Sequence, residues 1–368
     1  MTELRASRVS FLVPTKNRPD FVVRLLRYYA QQGFAGRLLI GDSSDPGPAE
    51  RIQRAVAGLG NRLAVRYEAF PGCSEPQTTS QLLGRVDTSY VAFLPDDDLV
   101  VADAVGPCVA FLDAHPDYSL AHGIGALVRL DRSGPWGAVA GTAGYSLRAP
   151  SAVSACARLL DHLERYSVMS FSIHRTAQMR AAYDRVPELT DHAFTELLPC
   201  CLSVAQGRVH RIDRLYLIRQ EHDRRYLNAD IFDWVTGPGW RASYELFRNR
   251  LAEELVRQDG VSMEQALEVI KRGFWKSLAS TLSTKWRQRF QPEVPTGGRW
   301  RRIAAGLPGL RPMWHGLQAR LPGAGSRLSL ACLSAPSSRY GADFAGIRQA
   351  FEPQAEEGAI AEELVLRR

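Results

Sequence analysis

The sequence predicts an α/β protein, a mixed sheet flanked by helices and followed by a mainly helical C-terminal extension. Three observations predict it. Short apolar runs of strand character alternate four times with helical periodicity in the first hundred residues. Two of those runs stop at a proline, Pro14 and Pro95, as strands do when they leave a sheet for a loop. From about residue 240 to 290 the apolar residues, among them Leu246, Leu251, Leu255, Ala266, Leu267 and Ile270, recur only at helical spacing.

Taken in order, Val9 to Val13 is a buried strand, and Phe21, Val22, Leu25, Leu26 and Tyr29 mark a helix with Asp20 placed to cap it. Arg37 to Ile40 is a second strand, broken by GDSSDPGP, before a helix over Glu50 to Leu59. Val65 to Phe70 is a third strand, Gln81 to Val86 a helix, and Tyr90 to Leu94 a fourth strand running into Asp96, Asp97 and Asp98. A helix is expected over 99–115, strands and Gly-rich turns over 118–148, and helices near 151–165 and 175–185. A helix from Asp191 to Gln206 stops at Gly207, and Val209 to Ile218 alternates as a strand. Three regions follow from this: 1–235 as the α/β domain, 236–290 as a helical region, and 291–368 as a basic extension with an acidic tail.

The 368 residues are 45% hydrophobic and 23% charged, which excludes a disordered chain, a collagen-like repeat and a disulfide miniprotein. The net charge of +7 is not spread evenly. Residues 271–330 hold twelve Lys and Arg against Glu293 alone, a local charge of +11 that leaves the remainder at −4. Four of the seven tryptophans, Trp275, Trp286, Trp300 and Trp314, fall in the same stretch. Arginine, lysine and tryptophan together suit an anionic membrane surface, with a solvated helical appendix as the alternative. No nucleic acid is expected, because no binding motif accompanies the charge. The six cysteines show no zinc-ligand spacing and read as reduced thiols of a cytoplasmic protein. No apolar run is long enough to span a bilayer, so the expected place is cytoplasmic or peripheral at the inner face of the membrane.

In an open α/β sheet the ligand lies beyond the carboxyl ends of the strands. Here those ends are Pro14 to Arg18, Asp42 to Asp45, and the triplet Asp96 to Asp98. Three adjacent carboxylates repel one another unless a cation or hydrogen-bond donors compensate them. A hard divalent ion, Mn2+ or Mg2+, is one solution, and an acidic turn capping the next helix is the other. No Gly-rich dinucleotide loop, Walker loop, nucleophile elbow or HExxH helix is present, which counts against dehydrogenase, NTPase, hydrolase and metalloprotease chemistry.

The ordered segments VSFLVPTKNRPDFVVRLLRYY, LLIGDSSDP and TSYVAFLPDDD resemble the opening of a family 2 glycosyltransferase, in particular the bacterial subgroup of surface-polysaccharide assembly. The resemblance spans about residues 8–225. It implies a GT-A (Rossmann-like) fold and inverting transfer from a nucleotide sugar, with UDP as the expected nucleotide, to a glycan or lipid-linked acceptor. Pro14, Thr15, Asn17 and Arg18 match the loop that wraps the nucleotide, and Asp42, followed by Ser43, matches the acid near the base. Asp96, Asp97 and Asp98 match the Asp-x-Asp region, with Asp96 and Asp97 toward the nucleotide and Asp96 and Asp98 toward the metal. Pro95 stands where the family often has a further aspartate, and Thr78, Thr79, Ser80 and Gln81 replace its Asn/Gly-rich run.

One-step inversion needs a carboxylate to take the acceptor's proton. With Gly207 aligned on the family's helix-ending glycine, Thr195 and Glu196 fall on its acidic pair, and Glu196 on the catalytic member. Asp191 competes, with an N-cap as its alternative role. His222 matches the histidine offered to metal or diphosphate, and an imidazole favours Mn2+ over Mg2+. Arg219, Gln220, Arg224 and Arg225 are placed to hold a leaving diphosphate. A nucleotidyltransferase of similar fold and a non-catalytic glycan-binding protein are the rival functions.

Overall fold

The computed structural model describes residues 2–223, 230–291 and 326–353. Its centre is β1 (Val9–Thr15), seven consecutive buried residues, hydrogen-bonded in parallel to β2 (Arg37–Asp42) on one side and β4 (Tyr90–Phe93) on the other. β3 (Ala64–Ala69) extends this parallel set at the edge. Pro14 does not end β1. β4 pairs only with Val9 to Leu12, so Pro14 faces β2 alone, where its missing N–H removes no ladder bond on the open side.

The helices after these strands begin earlier than sequence periodicity placed them. α1 (Thr2–Ala6) precedes β1, and α2 (Pro19–Gln31), α3 (Pro46–Leu59) and α4 (Glu75–Gly84) each have proline in the first turn, a position where the absent N–H is one of the unpaired donors anyway. Asp20 therefore sits inside the first turn of α2 rather than capping it, and it pairs with Arg51. α4 starts at a Ser74/Gln77 capping box, six residues before the expected Gln81. The helix expected from residue 99 is preceded by a two-residue strand, β5 (Leu99–Val100), before α5 (Ala102–Ala114).

The second half of the sheet is built by two long strands, β6 (Tyr118–Leu130) and β9 (Arg208–Glu221), which pair in parallel along most of their lengths. β7 (Val139–Tyr145) folds back on β6, and β8 (Ile173–Arg175) joins β6 to β4 through antiparallel pairs. The sheet order is β3-β2-β1-β4-β8-β6-β9-β5, nine strands counting β7. The pairing Leu99↔Ile218 between β5 and β9 brings the aspartate triplet beside residues 219–222, more than a hundred positions later in the chain.

α6 (Ala155–Glu164), α7 (Thr176–Tyr183) and α8 (His192–Gln206) lie against this half. Gly207 follows α8 in extended backbone rather than a left-handed turn. What it permits is close approach, since a Cβ there would stand 2.6 Å from the Ser119 backbone nitrogen. The carbonyls at the end of α8 are met by buried Arg158, which donates to Val204 O and Ala205 O at 2.9 and 2.7 Å.

Beyond a short α9 (Ile231–Trp234), α10 (Trp240–Asp259) and α11 (Met263–Phe290) pack on α6 and α8. Phe194, Leu198, Phe247, Leu251, Ile270 and Phe274 form one apolar cluster across the expected boundary at 235/236. Truncating one of its buried phenylalanines to alanine costs about 3–5 kcal/mol. No described helix is long and apolar enough to cross a membrane. Of the region expected as 291–368, residues 291 and 326–353 are described, the latter holding α12 (Leu330–Leu333) and α13 (Gly341–Phe351), which returns to pack on α2 through Phe344, Ile347 and Phe351. Trp300, Trp314, the basic residues between 292 and 325, and the acidic tail lie outside the described residues.

Candidate functional site

The carboxyl ends of β1, β2 and β4 meet as expected, and what gathers there is a network of buried charge. Asp96, Asp97 and Asp98 are 2%, 6% and 1% exposed, so their repulsion is compensated within the fold. Arg18 grips two of them, with Nη1 2.9 Å from Asp96 and Nη2 2.9 Å from Asp97. Thr15 donates its hydroxyl to the other oxygen of Asp96 at 2.7 Å. Arg219 donates Nε to Asp98 at 2.7 Å, and the Gln220 backbone N–H reaches the second Asp98 oxygen at 3.1 Å. His222 Nε2 stands 2.9 Å from Asp97 and 3.1 Å from Arg18 Nη2, its ring against Phe21.

Beneath them Arg24 is wholly buried. It donates to the Asp97 carbonyl at 2.6 Å, to the Pro135 carbonyl at 2.9 Å, and to the Gln220 side chain. Burial lowers its guanidinium to about 10, against the pull of the three aspartates. Burial raises the Asp96 carboxyl above the usual carboxylate range even with Arg18 beside it. Burial would raise Asp97 as well, but the bonds from His222 and Arg18 overcome it and hold that carboxyl well below the usual range. At Arg219 burial is overcome by Asp98, so its guanidinium is held more firmly protonated than usual.

The nucleotide-side residues expected from sequence cluster around the ends of β1 and β2. Asn17 has left-handed backbone (φ 56°), and its side chain exchanges two 2.9 Å hydrogen bonds with Asp45. Asp42 is buried, accepting from Ser44 N and from the Tyr67 hydroxyl, each at 2.8 Å. Ser43 and Thr78 join their hydroxyls at 3.1 Å. Thr79 donates to Glu75 at 2.8 Å. Pro14 is paired within the sheet, and Gln81 is exposed, touching Cys73.

The two carboxylates considered as base occupy different settings. Asp191 is the N-cap of α8, accepting from Ala193 N and Phe194 N, and both its oxygens also receive Trp234 Nε1 at 3.0 and 2.9 Å. Glu196 lies one turn on. It is accessible to solvent, yet enough protein surrounds it that desolvation raises its carboxyl above the ordinary glutamate range. The Tyr166 hydroxyl, donating at 2.9 Å, and the nearby charge of Arg219 pull the other way. Glu75, at the start of α4, is a second carboxylate of this kind. It is accessible, raised by desolvation, and near enough to Glu196 for the two to repel. Thr195 turns its hydroxyl back to the His192 carbonyl.

Three residues of this site escape a reading of the sequence: Arg24, Glu75 and Tyr166. Arg24 carried a signal, since it interrupts the apolar stripe Phe21, Leu25, Tyr28 at helical spacing. Arg224 and Arg225 lie outside the described residues. Oxygen ligands with one imidazole suit Mn2+ by their chemistry. As arranged they do not form a metal centre: among the described residues no three His, Cys, Asp or Glu side chains converge on one point, because the aspartates are turned toward guanidinium and backbone donors.

No protein-family model matches the sequence, and no curated protein matches it. Solved structures do resemble it. Residues 1–349 of TarS from S. aureus in complex with UDP-GlcNAc superpose with a TM-score of 0.52 at 15% identity, over 77% of this chain and 76% of that one. The same S. aureus protein in complex with UDP gives 0.50 at 14% identity, over 93% and 90%. At such identity the likeness is one of fold, and the fold is the GT-A-like mixed sheet with flanking helices that the sequence predicts.

Proposed function

We propose that this protein is an inverting glycosyltransferase that moves a sugar from a nucleoside-diphosphate sugar, a UDP-sugar, to a hydroxyl of a glycan or lipid-linked acceptor. The observation that carries the reading is the meeting, at the carboxyl ends of the strands, of a buried Asp98–Arg219 pair with an accessible, desolvated carboxylate, Glu196, close enough to feel Arg219. The resemblance in sequence and the likeness in fold to a protein solved with UDP and UDP-GlcNAc support the same donor class.

The residues take these roles. The end of β1 at Pro14 and Thr15 and the loop from there through Arg18, with Asp42, Ser43 and Gln81, receive the nucleoside. Arg18 and Arg219 set positive charge where the diphosphate departs. The acceptor oxygen attacks the anomeric carbon while Glu196 takes its proton, and the bond from that carbon to the diphosphate oxygen breaks, releasing nucleoside diphosphate. Asp191 holds the helix that carries Glu196. The proposal includes Mn2+ or Mg2+ on the chemistry of Asp96, Asp98 and His222, which would take an ion only in exchange for present partners. UDP affinity with Mn2+ against EDTA tests this, tighter binding with Mn2+ being the expected result.

The placing of the enzyme at an anionic membrane surface belongs to the same proposal. The end of α11 exposes Trp286 and Phe290 beside Lys285, Arg287 and Arg289. Salt-sensitive co-sedimentation with anionic vesicles tests it, and a protein that never pellets with them refutes it. The central reading is tested by release of UDP from a panel of UDP-sugars. Glu196→Gln and Asp98→Asn should lose release, and equal turnover by all three proteins would sink the enzyme reading.

A further inference from the structure

Beside the candidate site lies a cleft of about 530 Å3, bounded by the segment after β7, the end of α6 and the middle of α11. Its size is that of a ligand site, and two residues connect it to the chemistry. Tyr166 in its wall gives its hydroxyl to Glu196. Ser146 at its lip follows Tyr145, whose hydroxyl accepts from Arg219, the partner of Asp98.

We propose that this cleft binds the acceptor through its carbohydrate, a neutral, hydroxyl-rich glycan chain, and that α11 is thereby a recognition element for the acceptor. The proposal rests on the glycosyl-transfer reading above. The lining side chains are all polar or charged, which suits hydroxyl groups and disfavours an alkyl chain, whose burial needs apolar contact. Ser277, Ser280 and Thr281 follow one another at the spacing that puts them on one face of α11. The charges of the walls are met locally. Arg148 and Arg165 both reach Asp161, and Glu164 receives Lys276 at 2.6 Å. These three cations and two acids leave a net of only +1, and each is engaged in an ion pair, which gives a polyanion little to hold and favours a neutral chain. A glycan lying there ends at Tyr166, with its terminal hydroxyl toward Glu196.

The test uses the full-length protein with UDP present. The probes are neutral tetrasaccharides of glucose, galactose, mannose and N-acetylglucosamine, with undecyl phosphate as the lipid probe. At least one tetrasaccharide should bind and undecyl phosphate should not. Ser280 and Thr281 are exposed, so Ser280→Trp or Thr281→Trp fills the cleft without entering the core. Either should weaken the tetrasaccharide by about tenfold or more while UDP affinity stays within about twofold. The proposal is overturned if UDP binds and no tetrasaccharide does, if both tryptophan variants bind the sugar as the wild type does, or if they block undecyl phosphate instead. Absence of UDP binding by the wild type removes the donor reading itself, a different failure.

Discussion

The two walls of the candidate site handle charge in opposite ways. On the sheet wall Asp96, Asp97 and Asp98 are buried and gripped by Arg18, Arg24 and Arg219. On the helical wall Glu75 and Glu196 are accessible, each held by one neutral hydroxyl, from Thr79 and Tyr166. A buried ion pair holds a shape, and removing one partner strands a charge in a poorly solvated place. An accessible carboxylate with a raised pKa is free to take a proton. The difference teaches that the densest cluster of acids is held as a scaffold by its arginines, and that the accessible glutamates are the carboxylates left able to exchange a proton, Glu196 being the one to which the proposed function assigns that transfer.

The sharpest way to break the comparison is Glu196→Gln. The transfer rate should fall by about 10²–10⁴-fold, the worth of a general base, with little change in the midpoint of denaturant unfolding. A variant that unfolds early and keeps its rate reverses the two walls. Arg219→Ala addresses the other wall. It leaves Asp98 buried without its guanidinium, at a cost of about 3–5 kcal/mol read from urea unfolding, and release of UDP slows as well. Stability equal to that of the wild type would show that the sheet wall does not depend on this pair.

Asp191→Ala separates cap from base. It should cost about 0.5–2 kcal/mol for the lost N-cap, with the transfer rate per folded molecule retained; a loss as deep as that of Glu196→Gln would return the base to Asp191. The smallest effect is expected from Tyr166→Phe, a positioning change. The Tyr166 hydroxyl lowers a carboxyl that burial raises, so removing it raises Glu196 further. A base acts only when deprotonated, and the acid limb of the pH–rate profile should therefore move to higher pH. An unmoved limb with an altered rate would mean that the tyrosine acts on something other than Glu196.

Much of this was legible from local pattern. Four strand–helix alternations gave the sheet, and the stop after Leu94 located the triplet at a strand end. Apolar spacing places the starts of α3 and α4 several residues late, because it says nothing of the polar first turn in which Pro46 and Glu75 lie. Gly207 was legible as the end of α8, but its reason, the approach of Ser119, was not.

By itself the sequence determined the α/β class, the alternation of the first four strands with their helices, three aspartates at a strand end, and a helix bearing Glu196 ahead of a long strand, but not the short elements α1, β5 and β8. These are properties of periodicity and of short-range turn chemistry, which act over a few residues. The tertiary structure alone decided that the triplet is compensated by arginines from α2, its preceding loop and β9, that Asp191 is spent on a cap and on Trp234, and that Tyr166 joins Glu196 to a polar cleft against α11. Charge and hydrogen bonding act through space, and the partners of Asp98, Asp191 and Glu196 are remote in the chain, so no local pattern records them.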